Sequence, residues 1–369
     1  MYEVIEVINN FSELSLLIIA GGKSSRMKQD KRLIEIGGVS LLENILIKAS
    51  KENFSKIFLC VEKNLDFIQK LADKYQAKIL IDEIQNCGPI SGLIGGLQNI
   101  KNEFAAAISA DMPFFEFKSL IPLINQLNTE KVIMFERQPL AAIYHKSLAE
   151  IFKNALANDQ RKLQIIIDQV PHKIITNYPL PIANYFNVNA PADLRLAYGR
   201  YENISRKVPI ISIIAPKSGT GKTTFIEKLI TKLNEQGLKV GVIKSDSHGF
   251  NIDIEGKDSY KFQNAGAKAV AVVSPKNYFM IQQTDQRENF LNVAEKFDNV
   301  DLILTESRTH GTKPAISLYR GLDQPLINDD VAALFTDKKI NCLDDVLQFD
   351  LNDIDQAIKI CLFLMAKDL

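Results

Sequence analysis

Twice in this chain an apolar run stops at a loop of glycines and cations. Leu16–Ala20 leads into Gly21-Gly22-Lys23-Ser24-Ser25-Arg26-Met27-Lys28-Gln29-Asp30-Lys31, and Ile210–Ala215 leads into Pro216-Lys217-Ser218-Gly219-Thr220-Gly221-Lys222-Thr223-Thr224. A short strand that is apolar throughout, or in the second case apolar but for Ser212, needs pairing partners on both sides and covering layers on both faces, the situation of a parallel sheet packed with helices. A chain of 369 residues is long enough for two domains, each with its own core.

The rest of the pattern agrees. In the first half, apolar stretches at Ile57–Val61, Lys78–Ile81, Ala105–Ser109 and Lys131–Phe135 alternate with helical periods at Leu41–Ala49, Leu65–Lys74 and Phe117–Leu127. In the second, Lys239–Ile243, Ala269–Ser274, Leu302–Thr305 and Val331–Phe335 alternate with Phe225–Gln236, Glu288–Phe297 and Asp355–Met365. This is βαβ punctuation, predicting a mainly parallel sheet in each half. Between them Tyr198–Lys207 is polar and basic without strand period, which predicts domains over 1–199 and 208–369 and a linker over 200–207.

Composition narrows the function classes. Lys and Arg number 44, as do Asp and Glu, so the formal net charge is zero. A nucleic-acid binder carries a basic surplus, and no nucleic-acid partner is expected. Cys60, Cys87, Cys342 and Cys361 are dispersed, without a CxxC pair, which speaks against a zinc knuckle or a dithiol site and for reduced thiols. Met1–Leu14 carries Glu3, Glu6 and Glu13, unlike a secretory signal. No uncharged apolar run approaches the ~20 residues a membrane helix needs. A cytoplasmic protein without a membrane partner is the expectation.

The first loop suits a triphosphate. Gly21 and Gly22 let backbone amides approach a ligand, and Lys23, Arg26 and Lys31 place three cations near the carboxyl end of a strand, where open α/β sheets bind ligands. A plain basic turn after a strand has the same composition. The ordered pattern GGxSxRMxxDK at Gly21–Lys31, followed by Gly37-Gly38 and Leu41-Leu42, is more specific. It resembles the molybdenum cofactor guanylyltransferases, members of the GT-A-like nucleotidyltransferase superfamily with a Rossmann-like α/β fold.

The resemblance extends, in order, through Gly88-Pro89-Ile90-Ser91-Gly92-Leu93, Ala110-Asp111-Met112-Pro113, Gln138-Pro139-Leu140-Ala141 and Phe186-Asn187-Val188-Asn189-Ala190-Pro191-Ala192-Asp193-Leu194, and covers roughly residues 14–199. One departure is Lys28, where the family has glycine. The family implies a phosphate monoester attacking the α-phosphorus of GTP. Ala20, Gly21, Gly22, Lys23, Ser24, Lys31, Asp82, Gly88, Pro89 and Gly92 would line the nucleotide site. Arg26, Lys31 and Asp111 would be the catalytic groups, with Asp111 holding Mg²⁺, and Asn187 and Asn189 would face the acceptor. Taken alone, Asp111 also reads as a helix cap, Asn187 and Asn189 as turn residues, and Asp82 as an ordinary strand end.

The second loop reads as a variant phosphate loop. Gly219, Thr220, Gly221, Lys222, Thr223 and Thr224 open a helix after a buried strand. Backbone amides would wrap the β-phosphate, Lys222 would reach the terminal phosphates and Thr223 would bind metal. Pro216 stands where the pattern has its first glycine. With Val242-Ile243-Lys244, Phe250–Ser259 and Asn264-Ala265-Gly266-Ala267, this half resembles the molybdopterin-guanine dinucleotide biosynthesis adaptor proteins, P-loop GTP binders. Leu302–Glu306 matches their acidic strand end, making Glu306 a metal or water ligand. Ser307 replaces the family's glycine, and Ser245-Asp246-Ser247-His248 is a thinned histidine stretch, with His248 read as a surface residue. No NKxD guanine reader is present, and Thr336-Asp337 is the nearest remnant.

The leading reading is a fusion of guanylyltransferase and adaptor. It would make molybdopterin guanine dinucleotide from GTP and Mo-molybdopterin, with Mg²⁺ as cofactor, the tether raising the adaptor's local concentration. Molybdopterin-loading and molybdoenzyme-maturation proteins are the implied protein partners, with weak GTP hydrolysis in the second half. The competing readings are a nucleotidyltransferase for a sugar or polyol phosphate, a cofactor-handling or insertion chaperone, and, lowest, a kinase in the second half, for which no lid is evident.

Overall fold

A computed structural model describes residues 11–21, 27, 29–84, 87–176, 178, 183–246, 249, 257–308, 311–321, 324–341 and 343–366. Two compact units divide between Tyr201 and Glu202.

The first unit is built from β1 (Leu14–Ile19), β2 (Glu35–Ile36), β3 (Val39–Ser40), α1 (Leu41–Ala49), β4 (Lys56–Val61), α2 (Asp66–Lys74), β5 (Lys78–Ile81), α3 (Pro89–Asn99), β6 (Phe104–Ser109), α4 (Ile121–Ile124), β7 (Val132–Phe135), β8 (Ala141–His145), α5 (Leu148–Ala157), α6 (Leu163–Ile167), β9 (His172–Ile175) and α7 (Pro191–Ile204). Its seven-stranded sheet runs β5-β4-β1-β6-β8-β7-β9. Every residue of β1 is buried. Because side chains alternate across a strand, Leu16 and Ile18 enter the core on one face and Leu17 and Ile19 the core on the other.

The expected strands are present, and the sheet is less parallel than the sequence implied. β8 runs antiparallel to both β6 and β7. The reversal between β7 and β8 contains Arg137 at φ +60°, a residue type that does not announce a turn. Gln138–Leu140 form that connection. Phe117–Leu127 is broken into a 3₁₀ turn, Phe117–Leu120, and the short α4. The segment Gly88–Leu93 opens a helix: Pro89 lies in the first turn of α3, where its missing N–H costs nothing. A Cβ on Gly96 would lie 2.5 Å from Leu17 Cδ1, so glycine here lets α3 lie directly on β1.

The second unit comprises β10 (Ile210–Ile214), α8 (Lys222–Glu235), β11 (Val240–Lys244), α9 (Asp258–Asn264), β12 (Ala269–Val273), β13 (Tyr278–Gln282), α10 (Phe290–Ala294), β14 (Leu302–Glu306), β15 (Ala315–Tyr319), β16 (Val331–Thr336), β17 (Leu347–Asp350) and α11 (Ile354–Leu364). Its main sheet, β11-β14-β10-β15-β16-β17, is parallel throughout. β12 and β13 form a separate antiparallel ribbon. β10 is fully buried at the centre.

The segment expected to be an irregular linker is helical as far as Ile204. Its polar residues obscure a period in which Leu194, Ala197 and Tyr198 pack against Ile34, Ile36 and Leu41. Asn203, 2% exposed, then ties the start of the second unit together. Its Oδ1 accepts from Ile210 N at 3.0 Å, and its Nδ2 donates to the carbonyls of Ile210 at 3.2 Å and Leu364 at 2.8 Å. Arg206 donates both to Asn203 Oδ1, at 2.7 Å, and to the Lys313 carbonyl, at 2.6 Å. Replacing Asn203 by Ala leaves these buried backbone groups unpaired. Urea unfolding of the Asn203→Ala chain is expected to show a loss of roughly 2–4 kcal/mol, and a loss below ~0.5 kcal/mol would refute this account.

Candidate functional site

The first unit's strand order places a crevice at the carboxyl ends of β1 and β6, where chain connections leave in opposite directions. Ile19, Ala20, Gly21, Lys31, Arg32, Leu41, Ser109, Ala110 and Asp111 line it. β1 brings Ala20 and Gly21, and β6 brings Ser109–Asp111. A 3₁₀ turn, Lys31–Leu33, brings the cations; Asp30 caps it by accepting from Arg32 N.

Asp111 is 5% exposed, and both its oxygens are engaged. Lys31 Nζ lies 2.5 Å from Oδ2, and Ser109 Oγ donates to Oδ1 at 2.5 Å. These contacts satisfy both oxygens of a carboxylate that would be costly to bury unpaired. Asn189 Oδ1 accepts from Lys31 Nζ at 3.4 Å, so three segments distant in sequence meet at one ammonium. Val188 N donates to the Asp111 carbonyl at 2.9 Å, fixing that meeting. Asn187 turns inward, its Nδ2 donating to Tyr185 O at 3.0 Å. Arg32 is held by Asp30, with Nη2 2.6 Å from Oδ2, and its guanidinium lies 5.7 Å from the Phe67 ring centroid. Burial works against the Asp30 charge, but the Arg32 hydrogen bonds outweigh it and hold that carboxyl below its ordinary value.

Gly21 sits against two acids. A Cβ there would come 3.1 Å from Asp82 Oδ2, a tight contact, and 3.6 Å from Glu62 Cγ, an ordinary one. Asp82 is buried, and burial, helped by the Glu62 charge, pushes its pKa up to about 6. Gly88, at φ +66°, precedes α3, and Gly92 faces the core, where a Cβ would be 3.1 Å from Cys60 Cβ. Packing accounts for Gly92 without a ligand. Gly22, Lys23, Ser24 and Arg26 lie outside the described residues.

The second crevice lies at the carboxyl ends of β10, β11 and β14. Its lining includes Gly219, Gly221, Lys222, Thr223, Thr224, Lys244, Glu306 and Arg308. Gly219 and Gly221 have φ of +76° and +101°, left-handed values that glycine adopts without the cost a Cβ would bring. Thr220 Oγ1 and Lys222 Nζ close the loop on the Lys217 carbonyl at 2.9 and 3.1 Å. Thr223 Oγ1 donates to Glu306 Oε1 at 3.0 Å, and Lys244 Nζ lies 3.5 Å from Glu306 Oε2. Burial and the nearby Arg308 and Lys244 charges hold Lys222 below its ordinary pKa, with Glu306 acting in the opposite sense. Asp337 Oδ1 accepts from Gly321 N at 3.2 Å. His248 lies outside the described residues.

Sequence reasoning passed over Ser109, Glu62, Arg32 and Arg308. Glu62 directly follows the strand that ends at Val61, and Arg308 stands two residues after Glu306. Proximity to a strand's carboxyl end is the signal that would have found both. Among the described residues no cluster of three or more His, Cys, Asp or Glu is placed to hold a metal, and no helix is long and apolar enough to cross a membrane.

Two family models match the chain in succession. The MobA-like NTP transferase domain matches residues 16–173, and molybdopterin guanine dinucleotide synthesis protein B matches residues 210–337. The molybdopterin-guanine dinucleotide biosynthesis adapter protein of Escherichia coli (strain K12) is 33% identical over 157 residues, 40% of this chain and 88% of that protein. The molybdenum cofactor guanylyltransferase of Campylobacter jejuni subsp. jejuni serotype O:6 is 31% identical over 175 residues, 44% of this chain and 85% of that protein. Among solved structures, molybdopterin-guanine dinucleotide biosynthesis protein A from Archaeoglobus fulgidus aligns with a TM-score of 0.44 and 22% identity, covering 50% of this chain and 97% of that one.

The Asp82 environment has a measurable consequence. With its pKa raised from 3.8 to about 6, the folded chain holds a proton through that window that the unfolded chain has released. Stability therefore falls as pH rises from about 4 to 6, and the cost persists above it. Asp82→Asn is expected to raise stability at pH 8 by roughly 1–3 kcal/mol, with the gain gone near pH 4. Thermal melts across that range check it, and a pH-independent gain counts against the buried charge.

Proposed function

Because this chain belongs in its first half to the molybdenum cofactor guanylyltransferases and in its second to the molybdopterin-guanine dinucleotide biosynthesis adapter proteins, we propose that it transfers GMP from GTP to the terminal phosphate of Mo-molybdopterin, yielding the guanine dinucleotide cofactor and pyrophosphate. An oxygen of the acceptor phosphate attacks the α-phosphorus, and the bond from that phosphorus to the bridging oxygen breaks as pyrophosphate leaves. Both reactants are anions, so the protein's task is to neutralise charge and align them in line.

The observation that carries this reading is the contact of Lys31, Asp111 and Asn189 at one crevice. Lys31 exchanges its carboxylate partner for a phosphate oxygen when the triphosphate enters, and it stabilises the departing pyrophosphate. Ser109 keeps Asp111 aimed into the crevice. A single buried carboxylate at a phosphate site suits Mg²⁺, which takes one or two carboxylates and completes its shell with substrate phosphates and water; bound there by Asp111, the ion would neutralise charge on the triphosphate. Asn189 orients the acceptor. Gly21, Asp82 and Glu62 form the nucleoside-facing edge. The buried Asp82 and its neighbour Glu62 offer hydrogen-bond acceptors to ribose hydroxyls or to the donor edge of guanine.

In the second half, Lys222, Thr223 and the loop amides are arranged to hold a nucleotide's phosphates, with Thr223 and Glu306 supporting its metal ion. We assign this half the adaptor role. Molybdopterin-loading and molybdoenzyme-maturation proteins are its natural partners, and the cytoplasm its compartment.

The test is direct. The full chain is incubated with Mg²⁺, Mo-molybdopterin and each nucleoside triphosphate in turn, and the product is identified by mass spectrometry. A GMP adduct formed with GTP is the expected product. Preferential use of CTP or UTP, or of a sugar or polyol phosphate as acceptor, would replace this reading. Asp111→Asn is expected to lower pyrophosphate release by about 10²–10³-fold, while Lys222→Ala leaves it within about tenfold and removes nucleotide hydrolysis. Normal transfer by the Asp111→Asn chain would make the first half a cofactor-binding platform instead.

A further inference from the structure

The second crevice carries more positive charge than a phosphate loop alone supplies. Lys222, Lys244 and Arg308 line it against a single lining carboxylate, Glu306. Lys222 belongs to the loop. Lys244 ends β11, and Arg308 follows the end of β14. All of this extra charge thus stands on one side of β10.

That side corresponds to one end of the nucleotide. Thr223 Oγ1 donates to Glu306 Oε1 at 3.0 Å, and these two side chains would hold the metal ion of a bound nucleotide, which would neutralise charge on its terminal phosphates. A terminal phosphate beside Glu306 would face the ends of β14 and β11. The opposite side of the loop, toward β15, is where Arg320 Nη2 would lie 3.3 Å from a Cβ on Gly221.

Arg308 is exposed and anchored at one edge. Its Nε donates to the Pro216 carbonyl at 3.3 Å, at the position where a phosphate loop ordinarily has its first glycine. Its terminal nitrogens hydrogen-bond to none of the described residues. A guanidinium fixed by Nε presents a two-pronged donor edge matched to a phosphate.

We propose that Arg308, assisted by Lys244, reads the terminal phosphate at this crevice, so that the second half holds a nucleoside triphosphate in preference to the diphosphate. The proposal rests on the reading of this crevice as a nucleotide site. A diphosphate fills the loop and satisfies Lys222, but it does not reach the cations at the ends of β11 and β14. The triphosphate brings one more negative charge to that edge.

The experiment must separate this crevice from the first one, so a local readout is needed. Hydrogen–deuterium exchange of the peptide containing Gly219–Thr224 is followed in the full chain, titrated with Mg²⁺ and either GDP or the β,γ-imido analogue of GTP. In the unaltered chain, protection is expected at a lower concentration of the triphosphate. In Arg308→Ala the triphosphate midpoint is expected to rise about tenfold, while the GDP midpoint stays within about twofold; Arg308→Lys should recover part of the preference. If both midpoints rise together in Arg308→Ala, Arg308 only props the loop through Pro216 and the proposal is overturned. An unchanged ratio overturns it as well. Absence of protection by either nucleotide in the unaltered chain would sink the nucleotide-site reading along with it.

Discussion

Each half of this protein depends on a strand buried along both faces. β1 and β10 have no exposed residue to spare for chemistry, so whatever they position must come from the loop at their carboxyl end. Parallel neighbours bring their own carboxyl ends to the same edge. β6 therefore delivers Ser109 and Asp111 beside Gly21, and β14 delivers Glu306 beside the second loop. In the first unit the close seat of α3 on β1, made possible by Gly96, completes the burial.

At these edges charge is balanced locally. Asp111 is paired with Lys31 and bonded by Ser109, and Glu306 is bonded by Thr223 and faces Lys244. A charge taken out of water is costly unless it is paired and hydrogen-bonded. The same partners suit phosphate chemistry. On the proposed reading, an ammonium that left a carboxylate for a phosphate oxygen would exchange one anionic partner for another, and the freed carboxylate would be open to a metal ion. The two sites share this logic while using different loops. The first draws its cations from one 3₁₀ turn and meets them with a carboxylate from β6, while the second gathers Lys222, Lys244 and Arg308 from three separate segments.

Much of this was legible from residue order. Both loops are contiguous, and a phosphate loop is a local object whose glycines, lysine and threonine lie within a few residues. Lys31, Asp111 and Asn189 were each recognisable within their own short motifs. Their mutual contact was not, since it depends on β6 lying beside β1 and on Val188 bonding to the Asp111 carbonyl. Glu62 and Arg308 carry no motif and matter only through what they stand next to. The antiparallel β8 escaped because its turn is made by Arg137, and the helix through Ile204 escaped because polar residues hid its apolar face.

The sequence by itself determined that there are two α/β halves, where each phosphate-facing loop begins, and which families they resemble, because these properties reside in short runs of adjacent residues. Only the tertiary structure decided which acid meets which cation, that Asp82 is buried beside Glu62, that Asn203 belongs to the second unit's core, and that Arg308 stands over the phosphate loop. Those outcomes depend on strand order and on helices approaching from distant parts of the chain, which local periodicity does not encode.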